Sequence, residues 1–451
     1  MPPSAPSVHG EQADRLRSAG ARLLAGVIVD SGGVLRAKAV APAQIEQFAA
    51  AGMGASLTWP VFCVDGDIAM TSEIGVVGDL RLRADLSRAV VLDEGFAWAP
   101  ADVYTQEGER SPLCWRDVAR RQADRLVALG LSARAGFELE FTLLDAEGDR
   151  LGADTGWPGY GLGPLSTLSG FASTLAEQLD EAGVGVAQLH AEYGPGQFEV
   201  SLLPSDLLGA ADAAVLARTV ICRVARTCGL QASFSPMPFP DGAGNGAHVH
   251  FSFARDGSPL LTGGSEAADL TPEGAHLVAG LVSGLPACMA VLAGSVVSLD
   301  RLLPGHWSGA FGCWGVENRE AAVRLIAANP GNPNGANVEV KCIDTAANPY
   351  LAVGLLVGHA LQGLQDRAAL PAAVSANPAD LSAEDARAAG VVRLPTSLES
   401  AARLLEASPT AESILGEPLH RAVTAVRLAE AKAAEAMGDT RFHRTRMAWS
   451  A

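Results

Sequence analysis

The chain has 451 residues, a formal net charge of −17 and a pI near 5.0. Apolar residues make up 48% of the sequence and charged residues only 18%, which excludes intrinsic disorder for most of the chain. An acidic surface repels phosphate backbones and anionic lipid headgroups, so we expect neither a nucleic-acid partner nor a membrane partner. Seven cysteines without a CxxC pair, and a beginning without the apolar core of a signal peptide, predict a soluble cytoplasmic protein.

The first part of the chain, residues 1–110, is predicted to form a small α+β domain. A short helical pattern precedes several strand-like runs that are separated by Gly and Asp turns. The helical pattern covers 11–24, and the strand-like runs cover 23–30, 59–65 and 89–95.

Residues 111–451 are predicted to form a second, catalytic domain in which strands alternate with longer helices. A capping box at 396–399 predicts one helix start. Helical periodicity is clear over 114–129, 171–183, 206–229, 349–366 and 418–437. An uncharged stretch over 276–299 is long enough to cross a bilayer, but it contains Pro286 and several glycines and lacks flanking basic clusters. We interpret it as a buried helix pair broken near residues 283–286.

Polar side chains alternate with apolar ones in four separate strand-like segments. Period-two alternation places each polar set on one face of its strand. Any one segment alone is typical of a solvated sheet face, but four together predict a sheet with an acidic concave face. The polar positions are Glu138 and Glu140; His190, Glu192, Gln197 and Glu199; His248, His250 and Ser252; and Glu339 and Lys341.

This acidic face predicts a metal and phosphate site. Clustered carboxylates raise one another's pKa unless cations neutralise them. Oxygen-rich ligation with few imidazoles suits Mg²⁺ or Mn²⁺ better than zinc or copper, so we predict two hard cations, which commonly bind phosphate. Arg301, Arg319 and Arg324 supply guanidinium groups for bidentate binding of phosphate or carboxylate. A glycine-rich turn over 241–248 allows the backbone to approach a ligand closely.

The segments ELE, HAEYGPGQFE, GNGAHVHFS, NREAAVR and VEVKCIDTAANPYLA, in this order, resemble the glutamine synthetase family, type I, over nearly the whole chain. The segment CWGVENREAAVR and the ending RMAWSA resemble the actinobacterial glutamine synthetase-like ligases that glutamylate amines. The resemblance implies an α+β fold with an N-terminal β-grasp-like domain and a guanido kinase-like catalytic domain that has a polar-faced antiparallel sheet. It also implies a dodecamer with active sites between subunits.

The resemblance further implies that ATP phosphorylates the γ-carboxylate of L-glutamate and that an amine then displaces phosphate. Matched by position, one metal site comprises Glu140, Glu192 and Glu199, and the other comprises Glu138, His248 and Glu339. The positions matched to glutamate binding are Gly244, Arg301, Arg319 and Lys341. Those matched to ATP binding are His250, Ser252, Arg319 and Arg324. Arg301, Arg319 and Trp307 occupy positions matched to catalysis.

Departures from the family pattern bear on the amine. Members that use ammonia have a glutamate six residues after the arginine matched by Arg301, and an aspartate in an N-terminal loop. Here the first position is Trp307, and the corresponding loop, 52–60, contains no acid. An ammonium ion needs anionic partners, whereas a tryptophan offers an apolar wall and a cation–π contact to an alkylammonium group. The alternatives are that Trp307 merely fills space or that Glu317 substitutes for the missing acid.

Two other departures leave ATP and glutamate chemistry in place. Lys341 replaces an arginine near the glutamate carboxylate, and Ala187 replaces an acid at the nucleotide pocket. Ala379 stands where adenylylated members have a tyrosine, so we expect no control by adenylylation.

The sequence therefore predicts an ATP-dependent ligase that joins glutamate to a small primary amine such as ethanolamine. A polyamine such as putrescine or spermine is the alternative substrate, and ammonia is third. A non-catalytic scaffold is disfavoured because all six expected metal ligands are present, and a scaffold does not need to retain mutually repelling carboxylates. A phosphagen-kinase-like enzyme would need a reactive cysteine, for which Cys313 is a weak candidate.

Overall fold

The computed structural model describes residues 7–152 and 156–451. A first sheet is built from the strands β1 Leu23–Val29, β2 Leu35–Val40, β3 Met53–Ser56, β4 Asp79–Ala84, β5 Val90–Val91 and β6 Phe96–Tyr104. Its strand order is β2-β1-β6-β4-β3, with β5 beside β6, and β1 runs parallel to β6 while its other pairs are antiparallel. The helices α1 Val8–Ser18 and α2 Ile45–Ala50 accompany this sheet.

Strands from the rest of the chain form a larger sheet. Its strands are β7 Leu131–Leu144, β8 Val186–Ala191, β9 Gln197–Leu202, β10 Gln231–Ser233, β11 Val249–Arg255, β12 Ser258–Pro259, β13 Phe311–Val316, β14 Ala321–Ile326, β15 Asn337–Val340 and β16 Val392–Arg393. The order is β16-β13-β14-β15-β11-β7-β9-β8, with β10 beside β7 and β12 beside β11. Among the described pairs, β13 with β14 is parallel and the others are antiparallel. The α+β prediction with a mainly antiparallel catalytic sheet is confirmed.

Helices follow these strands along the chain, and several of them pack against the larger sheet while others pack on neighbouring helices. They are α3 Trp115–Ala128, α4 Leu162–Thr167, α5 Ser169–Glu181, α6 Leu207–Thr227, α7 Pro272–Leu292, α8 Ser298–Arg301, α9 Pro349–Asp366, α10 Ala383–Ala388, α11 Leu398–Glu406, α12 Pro409–Leu415, α13 Glu417–Met437 and α14 Thr440–Thr445. The five long helices predicted from periodicity correspond to α3, α5, α6, α9 and α13. Helix α11 is capped by Ser397, one residue later than the capping box predicts.

Apolar residues that alternate with the polar set fix which face of the sheet is buried. Phe141 of β7 packs against Phe171 of α5, Phe198 of β9 and Phe234, with ring centroids 5.7–6.3 Å apart. Fully burying a phenylalanine contributes about 1.5–3 kcal/mol. This aromatic cluster therefore directs the intervening polar side chains to the opposite face of the sheet.

Several predicted elements of the first sheet are wrong. The run over 59–65 is not a strand, because Trp59–Val61 forms a short 3₁₀ turn with Pro60 at its centre. The run over 89–95 is extended only at Val90–Val91, and the first helix ends at Ser18 rather than at residue 24. Proline lacks the backbone N–H that a ladder requires, which explains the first difference.

The apolar stretch 276–299 is not a broken helix pair, because α7 runs unbroken through Pro286. Helix α7 packs against α9, and a Cβ at Gly280 would lie 2.3 Å from the carbonyl oxygen of His359. The glycines thus permit close helix packing instead of ending the helix. Within the most apolar 18 residues of α7, 78% are buried, so this helix belongs to the core.

The two sheets are joined through α3, which follows directly on the predicted boundary near residue 110. Arg116 of α3 is buried and donates to Asp212 of α6 at 2.9 and 2.7 Å and to Asp102 of β6 at 3.2 Å. Its Nη2 also donates to Asp85 at 3.0 Å, and Tyr350 of α9 donates to Asp212 at 2.7 Å. The division into domains 1–110 and 111–451 stays a prediction.

Candidate active site

The four polar segments lie on adjacent strands of the larger sheet. In the order β15-β11-β7-β9-β8, His250 is opposite Glu339, and Glu199 is opposite both Glu140 and His190. Pairing at this register brings residues from four distant parts of the sequence onto one face. The acidic face predicted from alternation is therefore present as a single cluster.

The first potential metal-binding group comprises Glu138, His248 and Glu339, and its ligand atoms lie within 4.8 Å of one another. His248 Nδ1 is 3.3 Å from Glu138 Oε2 and 3.2 Å from Glu339 Oε1. Burial raises the pKa of Glu138, but hydrogen bonds with His248 and His250 outweigh burial and hold that pKa well below its usual range. This group matches the second predicted metal site.

The second group comprises Glu140, Glu199 and His248, so His248 takes part in both. The Nε2 atom of His248 is 3.8 Å from Glu140 Oε1. The other carboxylate oxygen of Glu140 accepts from the Gly246 N–H at 2.8 Å and from Gln197 Nε2 at 3.1 Å. Two donors thus orient the Glu140 carboxylate and leave one oxygen directed towards the cluster.

The third group comprises His190, Glu192 and Glu199. Burial, together with the charges of Glu140 and Glu199, raises the pKa of Glu192 to about 7. The predicted set of Glu140, Glu192 and Glu199 is thus spread over two overlapping groups that share Glu199. A cation at this place would relieve the repulsion that raises the pKa of Glu192.

Sequence reasoning missed Tyr160, which lies next to this third group. Its ring is 6.0 Å from the ring of His190, and its backbone has a φ of 58°. Partial burial and the Glu192 carboxylate raise the pKa of the Tyr160 phenol to about 12. An aromatic residue in a glycine-rich loop gives no periodic signal, so only the fold brings it to the site.

Arg301, at the end of α8, lies against the glycine-rich turn over 241–248. Its Nη2 is 3.1 Å from His248 Nε2, and a Cβ at Gly244 would come within 2.6 Å of the Arg301 side chain. The Nη1 atom of Arg301 is buried and has no hydrogen-bond partner among the described residues. A buried guanidinium nitrogen without a partner is costly, which suits a site for an anionic ligand.

Two further cations lie beside Glu339. Lys341 Nζ donates to Glu339 Oε1 at 3.0 Å, and Arg324 Nη1 donates to Glu339 Oε2 at 3.2 Å. Burial raises the pKa of Glu339, but the charges of Lys341 and His248 outweigh it and lower that pKa to about 2. Arg324 Nη2 also donates to the exposed carboxylate of Glu317 at 2.6 Å.

Three of the four residues matched to ATP binding lie on strands, His250 and Ser252 on β11 and Arg324 on β14. His250 Nδ1 is 2.8 Å from Asn337 Oδ1, and its Nε2 is 3.3 Å from Glu138 Oε1. Burial lowers the pKa of His250, but the hydrogen bond with Glu138 outweighs it and raises that pKa overall. Ser252 lies half-buried two residues further along β11, paired across the sheet with Arg134.

Arg319 and Trp307 lie outside the strands that carry the carboxylates, on neighbouring loops. Within residues 7–152 and 156–451, the exposed Arg319 makes no ion pair. Trp307 is 55% exposed and has a φ of 52°. The structure thus brings Arg301, Lys341, Arg324 and His250 into contact with the acidic cluster. Among the described residues, Arg319 and Trp307 make no hydrogen bond or ion pair with this cluster.

The donors of the cluster fit divalent metal ions. Carboxylate oxygens with a minority of imidazole nitrogens are the ligands that hard cations such as Mg²⁺ and Mn²⁺ prefer. His190 Nδ1 is buried without a hydrogen-bond partner among the described residues, as expected for a nitrogen that awaits a ligand. Bound cations in such a site neutralise the charge of a phosphoryl group during its transfer.

Comparison with known proteins agrees with this chemistry. The family model of the glutamine synthetase catalytic domain matches residues 112–445, so the chain belongs to the glutamine synthetase family. It is an ATP-dependent ligase that joins glutamate to an amine.

Individual relatives are similar over nearly the whole chain. The gamma-glutamylpolyamine synthetase GlnA3 of Streptomyces coelicolor is 40% identical over 418 residues, which is 91% of this chain and 90% of that protein. The crystal structure of a novel glutamine synthase homologue has a TM-score of 0.84 at 30% identity and covers 95% of this chain and 98% of its own. A GmaS/ADP complex has a TM-score of 0.82 at 25% identity and covers 94% and 96%.

Proposed function

We propose that this protein is a γ-glutamylpolyamine synthetase, which couples the γ-carboxylate of L-glutamate to a primary amino group of a polyamine. The observation that carries the proposal is the 40% identity with a gamma-glutamylpolyamine synthetase over 91% of the chain. The sequence alone favoured a short amine because the residues that it predicts at the amine entrance, Trp307, Trp59 and Met53, are apolar. The similarity now favours the polyamine alternative over ethanolamine.

The proposed reaction has two steps. A γ-carboxylate oxygen of glutamate attacks the terminal phosphorus of ATP, and ADP leaves. The amine nitrogen then attacks the acyl carbon of γ-glutamyl phosphate, loses a proton and displaces phosphate. Glu138, Glu140, Glu192, Glu199, His248 and Glu339 would hold two Mg²⁺ or Mn²⁺ ions, which supply charge neutralisation at the phosphoryl group.

Different cationic side chains are proposed to bind the two anionic substrates, glutamate and ATP. Arg301, whose buried Nη1 has no hydrogen-bond partner among the described residues, would receive a carboxylate of glutamate beside Gly244. Lys341 would assist as a point charge, since its ammonium group already lies 3.0 Å from Glu339. Arg319 and Arg324 would bind ATP phosphates, with His250 and Ser252 at the nucleotide.

Trp307 is proposed to line the amine entrance. Its exposed indole can contact a methylene chain and attract an alkylammonium group by a cation–π interaction, which contributes about 0.5–2 kcal/mol. The same aromatic wall supports a short amine such as ethanolamine as the second candidate.

Assembly and location are part of the same proposal. Membership of the family supports a homododecamer with active sites between subunits and a cytoplasmic location. No nucleic-acid or membrane partner is proposed, in agreement with the acidic net charge of −17.

The test is phosphate release from ATP with glutamate and Mg²⁺ across ammonium, methylamine, ethanolamine, putrescine and spermine. We expect turnover with putrescine or spermine and none with ammonium. Turnover with ethanolamine or methylamine alone would replace the polyamine by a short amine. Turnover with ammonium alone would show a glutamine synthetase, and the role given to Trp307 would then be wrong.

A further inference from the structure

A buried carboxylate outside the acidic cluster binds the loop that carries Trp307. Glu320 is 7% exposed, and its Oε1 accepts the Trp307 N–H at 2.8 Å while its Oε2 accepts the Gly305 N–H at 3.2 Å. Glu320 has no cationic partner in the part of the chain that the structure describes. A buried carboxylate needs strong compensation, so these two backbone N–H groups are its principal partners.

The loop needs such an anchor because its backbone is in an unfavourable conformation. Trp307 has a φ of 52°, and a left-handed conformation is costly for a residue other than glycine. The loop follows Arg301, whose guanidinium contacts His248 of the acidic cluster. Glu320 therefore fixes a strained segment that begins at one substrate-binding residue and ends at another.

The turn that contains Glu320 is itself rigidly held. The Asn318 side chain accepts the Glu320 N–H at 3.1 Å and donates to the carbonyls of Val374 at 2.9 Å and Ala376 at 3.0 Å. Arg319, the exposed cation assigned to phosphate, lies between Asn318 and Glu320. One carboxylate thus connects the Arg319 turn to the Trp307 loop.

We propose that Glu320 is a positioning residue, which holds the Trp307 loop beside the site so that γ-glutamyl phosphate reacts with the amine and not with water. This inference rests on the proposed function. When the loop is released, a water oxygen can attack the acyl carbon, lose a proton to solvent and displace phosphate. The net reaction is then hydrolysis of ATP to ADP and phosphate, and glutamate is regenerated.

The first experiment measures the loop directly and needs no activity. Backbone hydrogen exchange of the loop peptide 302–308, read by mass spectrometry, is compared between the wild-type protein and Glu320→Ala. We expect exchange to accelerate on the order of tenfold in the variant, since two charge-assisted hydrogen bonds are lost. Unchanged exchange in this peptide would overturn the inference, whatever reaction the protein catalyses.

Two variants separate anchoring from general destabilisation. Glu320→Gln keeps one acceptor oxygen for one of the two N–H groups, so its exchange should lie between those of the wild type and Glu320→Ala. Asp145→Ala is the matched control, because Asp145 also accepts two backbone N–H groups, from Glu147 at 3.1 Å and Asp149 at 2.8 Å, in a hairpin turn. Faster exchange of the 302–308 peptide in this control would show that the loop responds to any loosening and would contradict the inference.

The second experiment measures coupling. Phosphate release with ATP, glutamate and Mg²⁺ is measured with and without the amine that the wild type uses. In Glu320→Ala we expect the amine KM to rise about tenfold and amine-independent release to increase, while the KM for ATP stays within about twofold. An equal fall of every rate with unchanged KM values would indicate a structural role only. Absence of amine-dependent release in the wild type would instead contradict the proposed function, and the exchange experiment would still decide the role of Glu320.

Discussion

Two clusters of buried charge in this molecule have opposite compositions. At the junction of the two sheets, Arg116 and Arg120 lie among Asp85, Asp102 and Asp212, and each of these carboxylates has an arginine partner. On the polar face of the larger sheet, the ion pairs of Glu140, Glu192 and Glu199 within the described residues are with histidines alone.

The difference appears in the pKa of the carboxyl groups. Burial raises the pKa of Asp85, but the Ser87 hydrogen bond and the charge of Arg116 outweigh it and lower that pKa. Burial and like charges raise the pKa of Glu192 to about 7. A charge cluster that is complete within the protein stabilises the fold, whereas a cluster with excess negative charge needs a bound cation. We therefore expect mutations at the two clusters to affect different properties.

The largest expected effect is loss of phosphoryl transfer at the sheet cluster. Glu140→Ala should lower phosphate release on the order of 10³-fold whichever amine is supplied, because a proposed metal ligand is removed. The thermal unfolding midpoint without metal should change little, since one of several repelling carboxylates is gone. Glu266→Ala, at an exposed position, is the control. Full activity of Glu140→Ala would refute the metal assignment.

The next effect is a loss of stability at the junction cluster. Arg116→Met leaves the buried Asp212 without its bidentate arginine partner, which should cost about 3–5 kcal/mol of unfolding free energy. Arg88, which is more exposed and lies 3.3 Å from Asp212, is the matched control, and Arg88→Met should cost about 1 kcal/mol or less. Denaturant unfolding measures both variants. Equal losses would show that burial does not distinguish the two arginines.

The buried side chain of His359 provides a third case. Burial lowers the pKa of His359 to about 4 from its ordinary 6.5, and its Nε2 has no hydrogen-bond partner among the described residues. The unfolded chain therefore binds a proton below pH 6.5 that the folded chain binds only near pH 4. Stability should fall by roughly 3 kcal/mol as the pH falls from 6.5 to 4. In His359→Gln this part of the pH dependence should disappear from denaturant midpoints, and an unchanged pH profile would refute the assignment.

The smallest effect concerns the edge of the sheet cluster. Trp307→Glu places an acid at the proposed amine entrance, where it can bind and deprotonate ammonium. We expect the ratio of kcat/KM for ammonium to that for putrescine to rise about tenfold, equivalent to roughly 1.4 kcal/mol. Trp307→Phe, which keeps an aromatic wall, should leave that ratio within about twofold. Equal ratios in the Glu variant and the wild type would exclude Trp307 from amine selection.

Much of the site could be predicted from local pattern. Alternation of polar and apolar residues in β7, β9, β11 and β15 is a property of the strand itself. It predicted a shared face for Glu138, Glu140, Glu199 and Glu339 and for His248, which directly precedes β11, and these residues lie close together in the structure. The long helices were predicted for the same reason, since a period of 3.6 residues is visible in a single segment. Resemblance to a family added the expected division into two metal sites.

Contacts between distant segments could not be predicted from the sequence. His248 serves two groups because β11 lies beside both β7 and β15, and Tyr160 and Glu320 reach their partners through loops without periodicity. The short strand at Val90–Val91 and the turn at Trp59–Val61 likewise depend on what the first sheet can pair.

By itself, the sequence determined the chemical character of the site and the type of most long elements, because residue type and spacing act locally along one strand or helix. Only the tertiary structure determines the role of the glycines in α7. At Gly280 and Gly284 the absent Cβ atoms admit α9 at close range, so residues that often end a helix instead stabilise its packing. Glycine can either end a helix or allow close packing, and which of these occurs depends on the segment that the fold packs against it.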